Sequence, residues 1–385
     1  MKTAIWLYLF LFLAFFDLHA QYPILTPFAI SLGAAPVFIG WMMGIYALTH
    51  LPGNLIAGTV IDRHGSRRYI IFSLISAGIV LLLQAYVQFP WQLLVLRSIS
   101  GFVLAFLSPA CLTLLASLSN NQMTQGKYMS GHGVVHTLAS VLSPAAGAFI
   151  VANAGFSATF QSLGWLLIVT GILAIFIVPS PLQMAKRQAA MQPSDITAPK
   201  IKVSWRFFIL PFVVACSQGI LFFELPLRTP GVAGMMSTGI LFSLMSFGAL
   251  FTLSMLFINR FAPFKRVLAG VLVLALCFYI LAAVPSIPLV VTLFILGAAK
   301  GIIFPGLATL FIELSGGIKM GRIFSLQSIA MSIGSFIGPI TAGQLRHVIS
   351  PYYIAFVLLM TGLMILPSYR KSSKSLYGNI KQNPI

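Results

Sequence analysis

Asp17, Arg97 and Lys300 stand inside long apolar stretches of a 385-residue chain that holds only five acidic residues. A lone charge at the middle of a bilayer costs about 2.5–3.5 kcal/mol on insertion scales, so residues of this kind must pair, face water or handle an ion. Depth follows from the rise of ~1.5 Å per helical residue. Asp17, counted from Ala4, lies about 20 Å in from one edge of a ~30 Å hydrocarbon core. Arg97, counted from Trp91 on a segment running the other way, lies about 9 Å in from the opposite edge. The two reach one level, which predicts an Asp17–Arg97 interaction that loosens when Asp17 is protonated or a solute arrives. A static pair that only fixes helix packing is the alternative.

Lys300 falls near the bilayer centre of its segment, counted from Pro288, among the small residues Gly297, Ala298, Ala299 and Gly301. No acidic residue is an obvious partner. An unpaired ammonium there favours a carboxylate or phosphate of a ligand, and snorkelling or bonds to backbone carbonyls is the competing reading. Asp17, Arg97 and Lys300 together leave a net positive charge, which favours an anionic or zwitterionic solute over a purely cationic one. Glu224 lies near the outer boundary with Arg228 at i+4, so a helix-end salt bridge competes with a coupling role. His19, His50, His132 and His136 fall in or near apolar segments. His50, mid-membrane, is a candidate proton carrier, because an unperturbed imidazole titrates near ~6.5; satisfied hydrogen bonders are the plainer reading. His132 and His136 share an i, i+4 face, yet no acid or thiol joins them, so no metal site is expected. Gln21, Tyr46, Asn54, Gln84, Gln218 and Gln327, with Trp41, suit a mixed pocket or helix packing.

The elements that must position these residues follow from composition. With 59% hydrophobic and 7% charged residues, the chain has too little polar surface to cover a soluble globule, and an integral membrane protein is expected. Twelve apolar segments of spanning length run approximately over 4–26, 37–61, 69–88, 91–117, 127–152, 157–179, 205–227, 236–258, 264–284, 287–312, 322–346 and 351–369. Their continuous apolarity reads as helices, since barrel strands alternate. The fold expected is an all-α membrane protein of twelve transmembrane helices in two six-helix bundles. A cleaved signal peptide competes for the first segment, but apolar character resumes past Gln21 and Asp17 interrupts the run. With both termini on the cytoplasmic side, 19 of the 23 Lys and Arg fall inside, Arg228 and Arg346 outside, and Arg97 and Lys300 within spans. That asymmetry accounts for the formal charge of +18 as topology and contact with anionic lipid, with no basic soluble domain for nucleic acid. Cys111, Cys216 and Cys277 lie inside spans and read as packing residues.

Pro179 to Ser204 is the longest polar break. It divides an N-terminal bundle (1–179) from a C-terminal bundle (205–369) through a cytoplasmic linker (180–204), with a cytoplasmic tail at 370–385. The halves carry traces of a repeat at an offset of about 196 residues, as in transporters built from two related bundles. Asp62-Arg63 with Arg67-Arg68 answers Asn259-Arg260 with Lys265-Arg266. Pro109-Ala110-Cys111-Leu112-Thr113-Leu114 answers Pro305-Gly306-Leu307-Ala308-Thr309-Leu310. Ser143-Pro144-Ala145-Ala146-Gly147 answers Gly338-Pro339-Ile340-Thr341-Ala342-Gly343.

Gly58, Asp62, Arg63, Gly65, Arg67 and Arg68 match, position by position, the loop signature G-x-x-x-D-R-x-G-x-[RK]-[RK] between spans 2 and 3 of the major facilitator superfamily, which the chain resembles over almost its whole length. Arg97-Ser98-Ile99-Ser100-Gly101 is similar to that family's span 4 signature, with Ser100 in place of Gln. Ser143 and Ala148 replace two glycines of the antiporters' span 5 signature. The resemblance implies that spans 1, 4, 7 and 10 line a central cavity and that Asp62 faces the N-terminus of span 11 at Gly321-Arg322, latching the halves together. Plain topology would explain the basic residues without the latch. Glu313, with Arg260, Lys319 and Arg322 in reach, reads as the second half's counterpart.

The function expected is a secondary active transporter using alternating access and proton-coupled efflux of a small amphipathic, anionic or zwitterionic compound. A proton-coupled metabolite importer and a non-transporting receptor or scaffold are the alternatives. A small-molecule substrate, protons and membrane lipids are the expected partners, with no cofactor beyond the proton gradient, no metal, no nucleic acid and no enzyme chemistry. The expected setting is the cell membrane, and the expected state a monomer.

Overall fold

Every described segment longer than a turn in this computed structural model is helical; the description covers residues 2–118, 122–179, 204–229, 231–284, 286–314 and 320–366. The first half contains α1 (Lys2–Ser31), α2 (Pro36–His64), α3 (Ser66–Gln84), α4 (Pro90–Leu104), α5 (Leu107–Ser117) and the long α6 (Gln122–Ile177). The second contains α7 (Ile209–Arg228), α8 (Gly231–Ser254), α9 (Pro263–Ala283), α10 (Leu289–Leu314), α11 (Met320–Leu345) and α12 (Pro351–Ile365), with short 3₁₀ turns at Trp205–Phe208 and Leu256–Arg260. Proline opens α2, α4, α9 and α12, where its fixed φ suits a helix start and its missing N–H would have been unpaired anyway.

The expected segment 91–117 is covered by α4 and α5 in succession. The expected segments 127–152 and 157–179 both lie in α6, which Gly155 divides with φ 82° and ψ 172°. Gly65, at φ 85°, makes the turn from α2 to α3 inside the loop signature; a residue with a Cβ would be strained there. Nine helices among the described residues are long and apolar enough to cross a membrane. They take residues 131–177 as one piece, omit α2 with its polar and charged stretch, and set aside the 15-residue α12 as too short. Many large apolar side chains, among them Ile5, Phe72, Trp165, Phe176 and Leu276, point outward, as lipid-facing residues must when the surrounding solvent is hydrocarbon. The molecule is a multi-pass membrane protein. The expected linker, apart from Ser204, and the expected tail lie outside the described residues.

Within the first half α1 and α3 pack on α6, and α2 packs on α4; within the second, α7 packs on α11, α8 and α9 on α10, and α12 on α7 and α9. Arg67 ties the start of α3 to the far end of α6 by donating to the Ile175 carbonyl. The halves meet chiefly where α2 lies on α11 and α6 lies on α8. Both seams are closest at the end opposite the basic loops. A Cβ on Gly40 would stand 2.5 Å from Pro339 O, one on Gly44 2.6 Å from Phe336 O, and one on Gly239 2.6 Å from Pro144 O. Ala145 N–H also donates to Ser243 Oγ across the second seam, at 3.1 Å.

Overpacking a close helix contact costs about 1–3 kcal/mol. Gly44→Val is therefore expected to lower the melting temperature of the detergent-solubilised protein, while Gly58→Ala, whose added methyl meets open space, leaves it nearly unchanged. Differential scanning fluorimetry of the two variants checks this.

Candidate functional site

Asp17 and Gln21 are one turn apart on α1 and share a face. Both are buried, at 1% exposure each. Gln21 Nε2 donates to Asp17 Oδ1 at 2.8 Å, and Arg97 Nη1 of α4 donates to Gln21 Oε1 at 2.9 Å. The expected direct contact between Asp17 and Arg97 is thus replaced by a relay: the amide, with a donor at one end and an acceptor at the other, fits between a carboxylate and a guanidinium. The Arg97 guanidinium also lies over the Tyr46 ring, 4.6 Å from its centroid, a cation–π contact that compensates charge where water is scarce.

The relay borders a cavity of ≈ 520 Å³ between the halves. Leu18 and Tyr22 of α1, Met43, Tyr46, His50 and Asn54 of α2, Arg97 of α4, Gln218 and Phe222 of α7, and Phe324, Gln327, Ser328 and Met331 of α11 line it. Arg97 is the link of the relay that reaches the cavity, while Asp17 stands two hydrogen bonds behind it. His50 is on the wall, with Nδ1 3.5 Å from Asn54 Nδ2. The mixture of aromatic, thioether, hydroxyl and amide groups suits a ligand with apolar body and a few polar points. Where the resemblance implied spans 1, 4, 7 and 10, this conformation lines the cavity from α1, α2, α4, α7 and α11.

A second cleft of ≈ 470 Å³, sharing Asn54 and Ser328 with the cavity, continues toward the basic end between Gly58, Thr59 and Asp62 of α2 and Ser325 and Ile329 of α11. Asp62, Arg63 and Arg68 are exposed. Among the described residues Asp62 has no ion pair; the side chains at the start of α11, where its contact is expected, lie outside the described residues. Through the cleft the cavity opens at the basic end and is shut at the other, where Tyr22 stacks on Phe222 with ring centroids 4.0 Å apart. Lys319 and the side chain of Arg322 lie outside the described residues; Arg260 and Glu313 are exposed at helix ends.

Glu224 does not line the cavity. Its two oxygens are held at 3.0 Å each, one by Arg228 and one by Arg346, and Arg228 also lies over the Tyr352 ring. The two arginines expected on the far side thus converge on one carboxylate and join α7, α11 and α12. The helix-end salt bridge with Arg228 is present, with a second arginine that sequence spacing gave no sign of.

The opposite face of α1 carries a grouping that sequence reasoning did not assemble. His19 and His136 of α6 meet edge to face, with centroids 5.1 Å apart, and Phe15 touches both His132 and His136. Lys300 of α10 is within electrostatic reach of His19 and His136. The i, i+4 spacing of His132 and His136 was visible, but the partners arrive from α1 and α10. No group of His, Cys, Asp and Glu among the described residues is arranged to hold a metal ion.

A family model described as "Major Facilitator Superfamily" matches residues 7–339. The "Multidrug resistance protein MdtG" of Escherichia coli is 24% identical over 346 residues, covering 85% of this chain and 82% of that protein. Among solved structures, the nucleoside transporter NupG superposes with a TM-score of 0.72 at 15% identity, over 95% of this chain and 97% of its own. A bacterial homologue of the human lysosomal transporter Spinster, in an inward-facing and occupied conformation, gives 0.72 at 14% identity, over 94% and 95%. At these identities the solved structures speak for the fold alone.

Removing the bridging amide leaves a buried carboxylate and guanidinium each short of a partner, which costs about 1–3 kcal/mol per unsatisfied group. Gln21→Leu is expected to lower the unfolding temperature markedly, and Tyr46→Phe, which keeps the ring under Arg97, to change it little. Thermal unfolding in detergent checks the pair.

Proposed function

The chain belongs to the Major Facilitator Superfamily, and from that premise we propose that this transporter works by alternating access as a proton-coupled exporter of a small amphipathic, anionic or zwitterionic compound. It resides in the cell membrane with both termini and the basic end facing the cytoplasm, in keeping with the positive-inside asymmetry of its loops. The open cleft between α2 and α11 then makes this an inward-facing state.

The observation that carries the coupling is the Asp17–Gln21–Arg97 relay. It is a chain of hydrogen bonds from a buried carboxylate to a cationic group on the cavity wall. Protonation of Asp17 removes the negative charge that the relay stabilises, and releases the Arg97 end toward the cavity. Solute at Arg97 and a proton at Asp17 thus act on one network, which is the thermodynamic requirement for coupled transport. Export is supported by the relative MdtG, a multidrug resistance protein. Closure of the basic end brings Asp62 to the N-terminal end of α11, where an anion is favoured by the helix dipole. The two bundles, 1–179 and 205–369, are the moving bodies.

Two expectations follow. In proteoliposomes with an entrapped pH-sensitive dye, Asp17→Asn abolishes solute-induced proton movement for a panel of amphipathic anions and zwitterions, while its unfolding temperature stays close to the parent's; undiminished proton movement removes Asp17 from the mechanism. Asp62→Asn slows turnover severalfold, in line with the ~0.3–2 kcal/mol of a charge at a helix end, and leaves solute affinity unchanged.

A further inference from the structure

We infer that Lys300, His19 and His136 form an anion-binding subsite at the junction of the two halves, separate from Arg97, that receives a carboxylate or phosphate group. The inference rests on the transport reading and specifies where the substrate's negative end sits.

The first ground is charge compensation. Of the two cations placed mid-span, Arg97 is answered by Gln21, by Asp17 behind it and by the Tyr46 ring. Lys300 has only the faces of Phe222 and Phe304, 5.8 and 6.0 Å from its Nζ. Among the described residues it has no hydrogen-bond or ion-pair partner, and an ammonium inside a membrane protein without a counter-charge recruits one. Among the described residues the carboxylates are elsewhere: Asp17 on the opposite side of α1, Glu224 bound by two arginines, Asp62 and Glu313 at helix ends.

The second ground is what surrounds the ammonium. At ~100° per residue, Phe15, His19 and Tyr22 share a face of α1 roughly opposite that of Asp17 and Gln21. That face brings His19 against His136, both within electrostatic reach of Lys300. His19 Nδ1–H is committed to the Phe15 carbonyl at 2.7 Å, so its Nε2 is the nitrogen left for a ligand. His132 is engaged by Ser108, with Oγ and Nε2 3.1 Å apart. An ammonium and two imidazoles, from α10, α1 and α6, thus come together with no carboxylate among the described residues beside them. His136 is exposed and Lys300 and His19 are half-buried.

The third ground is position. The Tyr22–Phe222 stack runs between the Arg97 side and the Lys300 side, and its two rings come from opposite halves. An anion held by His19 and His136 of the first half and Lys300 of the second touches both bundles beside the aromatic pair that shuts the far end.

The test uses the full-length protein in detergent, with benzoate as anionic probe and benzamide as its neutral counterpart, followed by intrinsic tryptophan fluorescence. Wild type is expected to bind benzoate saturably and more tightly than benzamide. A charge-assisted hydrogen bond is worth about tenfold in affinity. Lys300→Met is expected to lose about that factor for benzoate only, His136→Phe, which keeps the ring packing, to lose severalfold, and Lys300→Arg to retain binding. Should Lys300→Met fail to fold, the histidine and arginine variants carry the same comparison. Absence of saturable benzoate binding by wild type, equal binding of the two probes, or unchanged benzoate affinity in the Lys300→Met and His136→Phe variants overturns the subsite. Nanodiscs settle the source of the anion: benzoate binding lost in phosphatidylglycerol and retained in phosphatidylcholine assigns the subsite to a lipid headgroup, and binding retained in both assigns it to a free solute. Because this is an equilibrium measurement, loss of proton coupling with intact benzoate selectivity refutes the transport mechanism alone. Intact coupling without selectivity refutes the subsite alone.

Discussion

A carboxylate and a guanidinium held in hydrocarbon must each be answered by a polar partner, and in this molecule one glutamine answers both. Gln21 turns an unfavourable pair of isolated charges into a continuous hydrogen-bonded chain from Asp17 to Arg97. The orientation of α1 against α4, and so the shape of the cavity wall, depends on that chain, because each link is directional and unsatisfied members are heavily penalised at low dielectric. A direct ion pair would fix only a separation. The amide fixes the rotation of both helices as well.

Helix α1 separates two chemistries by the accident of a 3.6-residue period. Asp17 and Gln21 look toward α4, while Phe15, His19 and Tyr22 look toward α6, α7 and α10. One helix thus carries the acid that compensates Arg97 and the imidazole that stands before Lys300. The Tyr22–Phe222 stack links the two faces across the boundary between halves.

Much of this was legible in the residues. Apolar run lengths placed the helices, the loop signature fell at the turn between α2 and α3, and depth counting put Asp17 and Arg97 on one level. What sequence could not supply was rotation about each helix axis and the choice among neighbours three spans away. For that reason Gln21 was read as a pocket residue rather than a bridge, and Arg346 was not seen as a partner of Glu224. The imidazoles of α1 and α6 were likewise not joined to Lys300. Conformation was equally hidden: the resemblance implied Asp62 against the start of α11, and the cleft that Asp62 lines between α2 and α11 is a feature of packing that no single residue encodes.

The shut end of the cavity is sealed largely by main chain against main chain. Gly40 and Gly44 bring α2 onto the backbone of α11, and Gly239 brings α8 onto that of α6. A seam of this kind has few large side chains to disengage, Trp41 against Phe336 being one such pair, so parting it frees few rotamers. With few teeth to realign, its two sides can separate and rejoin in the same register, and the glycines thereby act as the polished surfaces of a bearing rather than as the bolts of a joint.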